Sequence, residues 1–427
     1  MSYKKLFILL IVCILFTTGC QSSFTSQQNN VTHLTLWQGV NPPSNRDVLQ
    51  KLVDKFNQNH PYIQVESLYV GQPDQQMPKI LAAVVGNAPP DLLWFNPTIA
   101  GQLVELDALV PLDEMLNQSP VKDQIDPTLF DSMKYQNQNF GQYLLLLIMW
   151  EFFYRPSLFK AAGINKLPVN WEEFRQVAKT LTRDTNGDNK IDQHGIFLPL
   201  GKGEFTVFIW LPFMWSAGGE LAMEAAKVDL VNNQGAISAL QLWQDLVKDG
   251  SAILSAPERG FETDAFVAGK VAMQVTGPWT LTYINNDIKN GDFGVFPIPK
   301  NESQATSIGG ENLFLFKTTP EREKAAFEFA EYVVSEEFQT EWALGTGYLP
   351  TNLKSRQSEK YQAYIEKQPT AQVFLQQAQY GRSRPVFTGY SRVSESIGRA
   401  MEAVLLGKSN PKDALKESQQ RLDLIFK

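Results

Sequence analysis

The chain has 427 residues, 43% of them apolar and 19% charged, with a formal net charge of -7. That length exceeds one ordinary hydrophobic core, so two domains are expected, and the composition is that of a globular protein. The acidic balance excludes the basic footprint of a nucleic-acid binder.

The first twenty residues read as an address. Lys4 and Lys5 form a positive leading region, and Leu6 to Phe16 is an apolar run of eleven, which is signal-peptide length and too short to span a bilayer. Thr17-Thr18-Gly19-Cys20 follows and resembles a bacterial lipobox, in which Cys20 becomes the lipid-modified mature N-terminus. Thr17 departs from that pattern, which prefers Leu there, and Leu15 lies two places too early. An ordinary signal peptide cleaved nearby is the alternative. Residues 1–19 are thus expected to be removed, and polar 20–30 to act as a flexible tether. Cys13 leaves with the leader, so the mature chain has no disulfide although its compartment would permit one.

Val31 to Trp37 alternates as a strand, and Val48, Leu49, Leu52, Val53 and Phe56 recur at helical spacing over Arg46 to Asn57. Ile63 to Val70 is a second strand, Met77 to Val85 a helix, and Asp91 to Phe95 a short third strand. Strands alternating with helices imply a parallel, doubly wound sheet. Trp37 and Trp94 both stand at strand ends, where ligands gather in open α/β sheets. Leu144 to Tyr154 is a nearly unbroken apolar run with one charge, Glu151, and reads as buried strands. Asn170-Trp171-Glu172-Glu173 is a capping box that opens a helix.

Asp184 to Asp192 is the strongest metal signal. Oxygens at Asp184, Asn186, Asp188, the Lys190 carbonyl and Asp192 match the first nine places of an EF-hand-type loop for a hard cation. Asn189 replaces the expected Gly, and Gly195 replaces the closing bidentate Glu. A structural Ca2+ site and a plain Asx-rich turn both fit, and a catalytic metal does not. Phe205 to Trp215 is an apolar helix carrying Trp210 and Trp215, ended by Gly218-Gly219, and Gln234 to Lys248 is an amphipathic one.

Phe266 to Trp279, FVAGKVAMQVTGPW, reads as a helix end, a Gly269-Lys270 turn and an apolar strand Val271 to Val275. Gly277-Pro278 stops the strand and delivers Trp279 past its end, as a stacking face or as a cap on the core. This stretch resembles the signature of the extracellular solute-binding proteins of ABC transporters, family 1, the group with maltose-type and glycerol-3-phosphate-type binders. The turns at 56–61 and 88–91, the segments at 152–159 and 293–299, Ile308 to Phe314, Gly347 to Thr351 and Arg384 to Arg392 resemble that family too. Phe152 to Phe159 departs from it at Arg155-Pro156, where Asn-Lys is usual.

The resemblance implies a two-lobed periplasmic-binding-protein fold of type II, each lobe a mostly parallel doubly wound sheet, joined by three hinge crossovers. Lobe 1 is expected over 31–140 and 297–346, lobe 2 over 141–296 and 347–427, with the third crossing at Gly347 to Thr351. Trp94 and Asn96 would line the binding face, with Trp37, Trp210, Trp215, Trp279, Gly309, Gly310, Tyr348 and Tyr390. Arg392 would fork onto a phosphate, a carboxylate or sugar hydroxyls, or make a surface salt bridge.

No Gly-x-Ser-x-Gly or His-Glu-x-x-His motif is present, and Glu402 stands where a P-loop ending in Gly407-Lys408-Ser409 needs its first Gly. The function implied is a monomeric, lipid-anchored receptor outside the plasma membrane. It needs no cofactor, captures a sugar or polyol, and passes it to an ABC permease. A secreted carbohydrate-active enzyme and a surface glycan-binding lipoprotein without a permease are the alternatives.

Overall fold

The computed structural model describes residues 31–71, 73–126, 134–135, 138–139, 142–144, 148–222, 227–255, 263–385 and 387–426. The expected leader, tether and Cys20 lie outside them. Among the described residues no helix is long and apolar enough to cross a membrane.

Two five-stranded sheets carry the fold, and they are built alike. In the first, Thr32–Gln38 pairs in parallel with Ile63–Tyr69 on one side and Leu92–Phe95 on the other. Asn312–Leu315 then runs antiparallel beside Leu92–Phe95, and Gln142–Leu144 beside Asn312–Leu315. In the second, His194–Pro199 pairs in parallel with Ala252–Ser255 and Val271–Thr276. Glu151–Tyr154 is antiparallel to Val271–Thr276, and Gly294–Phe296 to Glu151–Tyr154. Each sheet is therefore three parallel strands with two more added at one edge, the expected two-lobed α/β arrangement.

A third, smaller ribbon lies between them in sequence. Thr306–Gly309 pairs with Gly381–Ser383 in parallel and with Ile148–Met149 antiparallel. The chain passes through this ribbon when it goes from Leu144 to Glu151 and again from Phe296 to Asn312, so it serves two of the crossings. Ile308 to Phe314, read from sequence as one strand, is two. The break at Gly309-Gly310-Glu311 is where the chain leaves the ribbon for the first sheet.

The boundaries differ from those expected, slightly at the first two crossings and more at the third, for specific reasons. Gln142–Leu144 still pairs in the first sheet. Residues after Phe296 stay with the second body, because Lys300 N–H donates to Val169 O and Glu302 N–H to Ser216 O. Gly347, at φ +86°, ends the Glu336–Thr346 helix and does not start a crossing. The following helices Leu353–Gln357 and Glu359–Lys367 pack back on Glu336–Thr346, and Asn352 Nδ2 donates to Val334 O at 2.9 Å. The next helix, Pro369–Gln377, packs against the Gly294–Phe296 strand of the second sheet.

Helix faces follow their sequence pattern. Pro43–Asn59 buries Leu49, Leu52, Val53 and Phe56, while Glu204–Ser216 is buried all round from Thr206 to Ser216, as expected for a helix without a polar face. Asn170 Oδ1 accepts from Glu173 N–H at 2.9 Å, and Glu173 Oε2 accepts from Val169 N–H at 2.9 Å, which closes the capping box at the head of Trp171–Leu181.

That helix lies on the His194–Pro199 strand, and Gly195 makes the approach possible: a Cβ there would stand 2.2 Å from Ala178 O. The closing Glu of an EF-hand therefore cannot be housed at this position. Gly195→Ala is expected to destabilise the protein by about 1–3 kcal/mol through overpacking, read from urea denaturation midpoints. An unchanged midpoint would contradict the packing.

Candidate ligand-binding site

A series of aromatic rings runs from the first sheet to the second. Trp94, inside the Leu92–Phe95 strand, is 5.3 Å from Trp342 of the Glu336–Thr346 helix. Trp342 is 5.6 Å from Tyr348, Tyr348 6.3 Å from Trp279, and Trp279 4.9 Å from Trp150, which it meets edge-on. Trp150 continues to Phe208 at 5.3 Å on the Glu204–Ser216 helix. Offset and edge-on pairs at such distances are the favoured aromatic geometries.

Local sequence explains how the rings arrive there. Thr276 and Glu151 are register partners on antiparallel strands, so Trp279 and Trp150 leave the second sheet at one end. Gly277 allows the Trp279 ring to fold back on the turn, since a Cβ would stand 1.8 Å from its Cζ3. Trp279 is thus both a stacking ring and a core residue, at 1% exposure. Asn45 Nδ2 from the Pro43–Asn59 helix donates to Trp279 O at 3.2 Å, tying it to the first body.

The structure brings Trp94, Trp279 and Tyr348 together and leaves others apart. Trp37 faces the opposite side of the first sheet. It pairs in register with Leu93, whereas Trp94 pairs with Gln38, and side chains in register share a face. Trp37 accordingly packs with Ile80, Leu93 and Phe95 in a separate cluster. Asn96 caps the Pro97–Ile99 turn, its Oδ1 accepting from Thr98 N–H at 3.2 Å. Trp210 and Trp215 lie in the core on the Glu204–Ser216 helix, with Arg382 5.0 Å over the Trp215 ring. Gly309 and Gly310 are buried, and the Phe208 ring occupies the space beside Gly309. Tyr390 is buried and donates to Glu204 Oε1 at 3.1 Å; burial and the Glu204 charge push its phenol well up.

Arg392 is exposed on the Tyr390–Leu405 helix, with no ion pair among the described residues. The buried guanidinium is Arg384 instead. It lies 3.7 Å over the Phe208 ring and pairs with Glu204 at 2.8 Å. Ser394 Oγ also donates to Glu204. Sequence reading passed over Glu204, an acid heading an apolar run, and Trp150 and Trp342, which look like core. It passed over Glu311 too, which accepts from Trp94 Nε1 at 2.6 Å. An acid leading an otherwise apolar helix was the one available signal.

In the 184–192 loop, Asp184 Oδ1 accepts from Gly187 N–H at 2.6 Å and Oδ2 from Asn189 N–H at 2.7 Å. Asn186 accepts from Asp188 N–H, Asp188 from Lys190 N–H, and Asp192 from Thr185. These are successive Asx turns. Among the described residues, no group of three or more His, Cys, Asp and Glu side chains is placed to hold a metal.

Two lobes of this topology around an aromatic seam are the build of a periplasmic receptor. Residues 51–369 match the family described as bacterial extracellular solute-binding protein, and the chain belongs to it. It is 25% identical over 279 residues to a putative binding protein of Brucella abortus (strain 2308), covering 64% of this chain and 65% of that one. It is 24% identical to the sn-glycerol-3-phosphate-binding periplasmic protein UgpB of Yersinia pseudotuberculosis, over 97% of this chain and 96% of that one. An ABC transporter solute-binding protein from Thermotoga lettingae, bound with alpha-D-tagatose, superposes with a TM-score of 0.82 at 22% identity. That match covers 93% of this chain and 100% of the other, and shows the fold.

Glu151 sits where the first crossing enters the second sheet, fully buried. Its Oε2 accepts from Ile298 N–H of the second crossing at 3.1 Å, while Oε1 and the facing Thr276 Oγ1 have no hydrogen-bond partner among the described residues. Burial pushes the carboxyl well above its ordinary value of 4.5, and the Ile298 bond offsets this in part. The folded state then holds a proton that the unfolded chain releases above the ordinary value, so this group's contribution to stability falls as pH rises from there. Glu151→Gln should remove that fall. Denaturation midpoints at about pH 5 and about pH 8 test it: wild type loses more between them than the variant. Equal losses would show the carboxyl ionised in the fold.

Proposed function

We propose that the protein is the substrate-binding component of an ABC importer, capturing a sugar or related polyol outside the plasma membrane and delivering it to the permease. The observation that carries this is the aromatic series crossing from one sheet to the other beside the ribbon through which the chain crosses. Aromatic faces suit the apolar side of a sugar ring, and a few fixed polar groups orient its hydroxyls.

Closure about the ribbon supplies the mechanism. The ring contact between the two bodies, Trp279 to Tyr348, is the longest of the series at 6.3 Å, so a sugar ring entering there displaces the least stacking. Two polar links that cross the seam, Asn45 to Trp279 O and Gln102 Nε2 to Ser391 Oγ at 3.0 Å, are neutral. Such bonds contribute about 0.5–1.5 kcal/mol each, little enough for a ligand with higher affinity for the closed form to govern the equilibrium. The Yersinia relative is named as an sn-glycerol-3-phosphate-binding protein and the Thermotoga structure is bound with alpha-D-tagatose, which supports a search that begins with sugars and polyols.

Binding of this kind requires neither catalysis nor a cofactor. A lipid on Cys20 and the tether over 20–30 would keep a monomeric receptor beside its permease. A Ca2+ ion on the 184–192 loop would be structural, far in sequence from the seam; a melting temperature unchanged by EDTA would leave the loop a plain turn.

A thermal-shift screen over sugars and polyols tests the receptor reading, because a ligand bound only by the native state raises its melting point. Trp94→Phe keeps a ring but removes the indole N–H that meets Glu311, and should weaken the bound sugar about tenfold, or ~1.4 kcal/mol. Cleavage of an oligosaccharide in the same screen would move the protein into the carbohydrate-active enzymes.

A further inference from the structure

The second crossing changes bodies over two residues. Its ribbon strand, Thr306–Gly309, is held to the second body. Thr306 Oγ1 donates to Trp150 O at 2.7 Å, Ser307 Oγ donates to Phe208 O at 3.2 Å, and the Phe208 ring fills the space beside Gly309. Asn312–Leu315 already lies in the first sheet, between Leu92–Phe95 and Gln142–Leu144. Gly310 and Glu311 join the two, so Glu311 carries the one side chain on the passage.

Strand register brings that side chain to the aromatic series. Leu313 is the register partner of Trp94, and alternate residues of an extended chain share a face. Glu311, two residues before Leu313, therefore stands diagonal to Trp94, and its Oε2 accepts from Trp94 Nε1 at 2.6 Å. The Trp94 ring is 1% exposed and packs on Phe338 and Trp342 at 6.5 and 5.3 Å. Without the Glu311 acceptor its indole N–H would be a buried orphan, which costs more than an ordinary hydrogen bond contributes. Trp94 is also the first-sheet end of the series that continues through Trp342 and Tyr348 to Trp279.

We infer that Glu311 is a positioning residue of the binding site: it holds the Trp94 ring on the first-body side of a pivot at Gly310, so that the ring is already aimed when the second body closes on it. Gly310 has no Cβ to restrict its rotation, and the residues on either side of the passage are fixed to different bodies. A ring set in advance spares the ligand the cost of ordering it. Ligand affinity then depends on Glu311 without any contact between Glu311 and the ligand. The affinity part of this inference rests on the receptor reading, whereas the placement of the ring does not.

The full chain is compared with Trp94→Phe, Glu311→Leu, Glu311→Gln and Glu311→Leu/Trp94→Phe. Without ligand, the wild-type circular-dichroism spectrum minus that of Trp94→Phe contains the couplet of the Trp94–Trp342 pair. That couplet is expected to persist in Glu311→Gln, whose amide oxygen still accepts, and to vanish in Glu311→Leu. Affinity is read by calorimetry with whichever of alpha-D-tagatose, maltose and sn-glycerol 3-phosphate raises the wild-type melting temperature. Glu311→Leu should lose about tenfold and Glu311→Gln no more than about threefold. The double variant should lose about tenfold and not about a hundredfold, because one bond can be lost only once. Multiplied losses would put Glu311 on the ligand and overturn the inference, as would an unchanged couplet, an unchanged affinity, or a Gln variant as weak as the Leu one. Should Glu311→Leu not fold, the double variant, which orphans no indole, is compared with Trp94→Phe: equal affinities support the inference and a further loss of about tenfold overturns it. If none of the three probes binds wild type, the receptor reading passes to the wider sugar and polyol screen, and the couplet alone decides whether Glu311 places the ring.

Discussion

The edge-on contact of Trp279 with Trp150 is the joint around which the rest is arranged. Each ring extends the end of one of two antiparallel neighbours, and the Thr276 to Glu151 register brings both out of the second sheet at the same place. From there the stack reaches the first body through Tyr348 and Trp342, and the second body's long buried helix through Phe208. A slip of that register by one residue would turn one strand over relative to the other and separate the two rings, so the joint depends on strand pairing as well as on the Gly277-Pro278 turn.

The polar groups near that joint divide by body. Glu204, Tyr390 and Ser394 lie on two helices packed against each other and against Gln234–Lys248, and Arg384 leaves the ribbon beside them. Their bonds do not cross the seam. Asn45 to Trp279 O and Gln102 to Ser391 do cross it. A hinge motion of the proposed kind would break these two neutral links and keep the Glu204–Arg384 pair, so that pair's buried charges stay compensated.

Much of the fold was readable because period and punctuation agree. The alternation of Thr32–Gln38, the spacing along Gln234–Lys248 and the Gly277-Pro278 stop are local signals, and the structure places these elements within a residue or two of expectation. The site was readable only in part, because it depends on register between distant strands. Trp37 and Trp94 look equivalent as strand ends, yet the pairing of Trp37 with Leu93 sends them to opposite faces. The Gly347 turn has the punctuation of a crossing, but Asn352, anchored to Val334 O, returns the chain to the first body. Arg392 and Arg384 sit in one short segment, and only tertiary packing shows which is buried.

Burial of that arginine also explains two other features nearby. Gly309 must be bare because Phe208 occupies its side-chain space, and Phe208 is there as the platform on which the guanidinium lies. A cation over a desolvated ring gains about 2 kcal/mol or more, but it still needs a counter-charge to be tolerated inside a core. Glu204 supplies that charge from a helix start, which is why an otherwise apolar helix begins with an acid. The same few residues thus hold a compensated ion pair inside a stable interior at the end of the aromatic series.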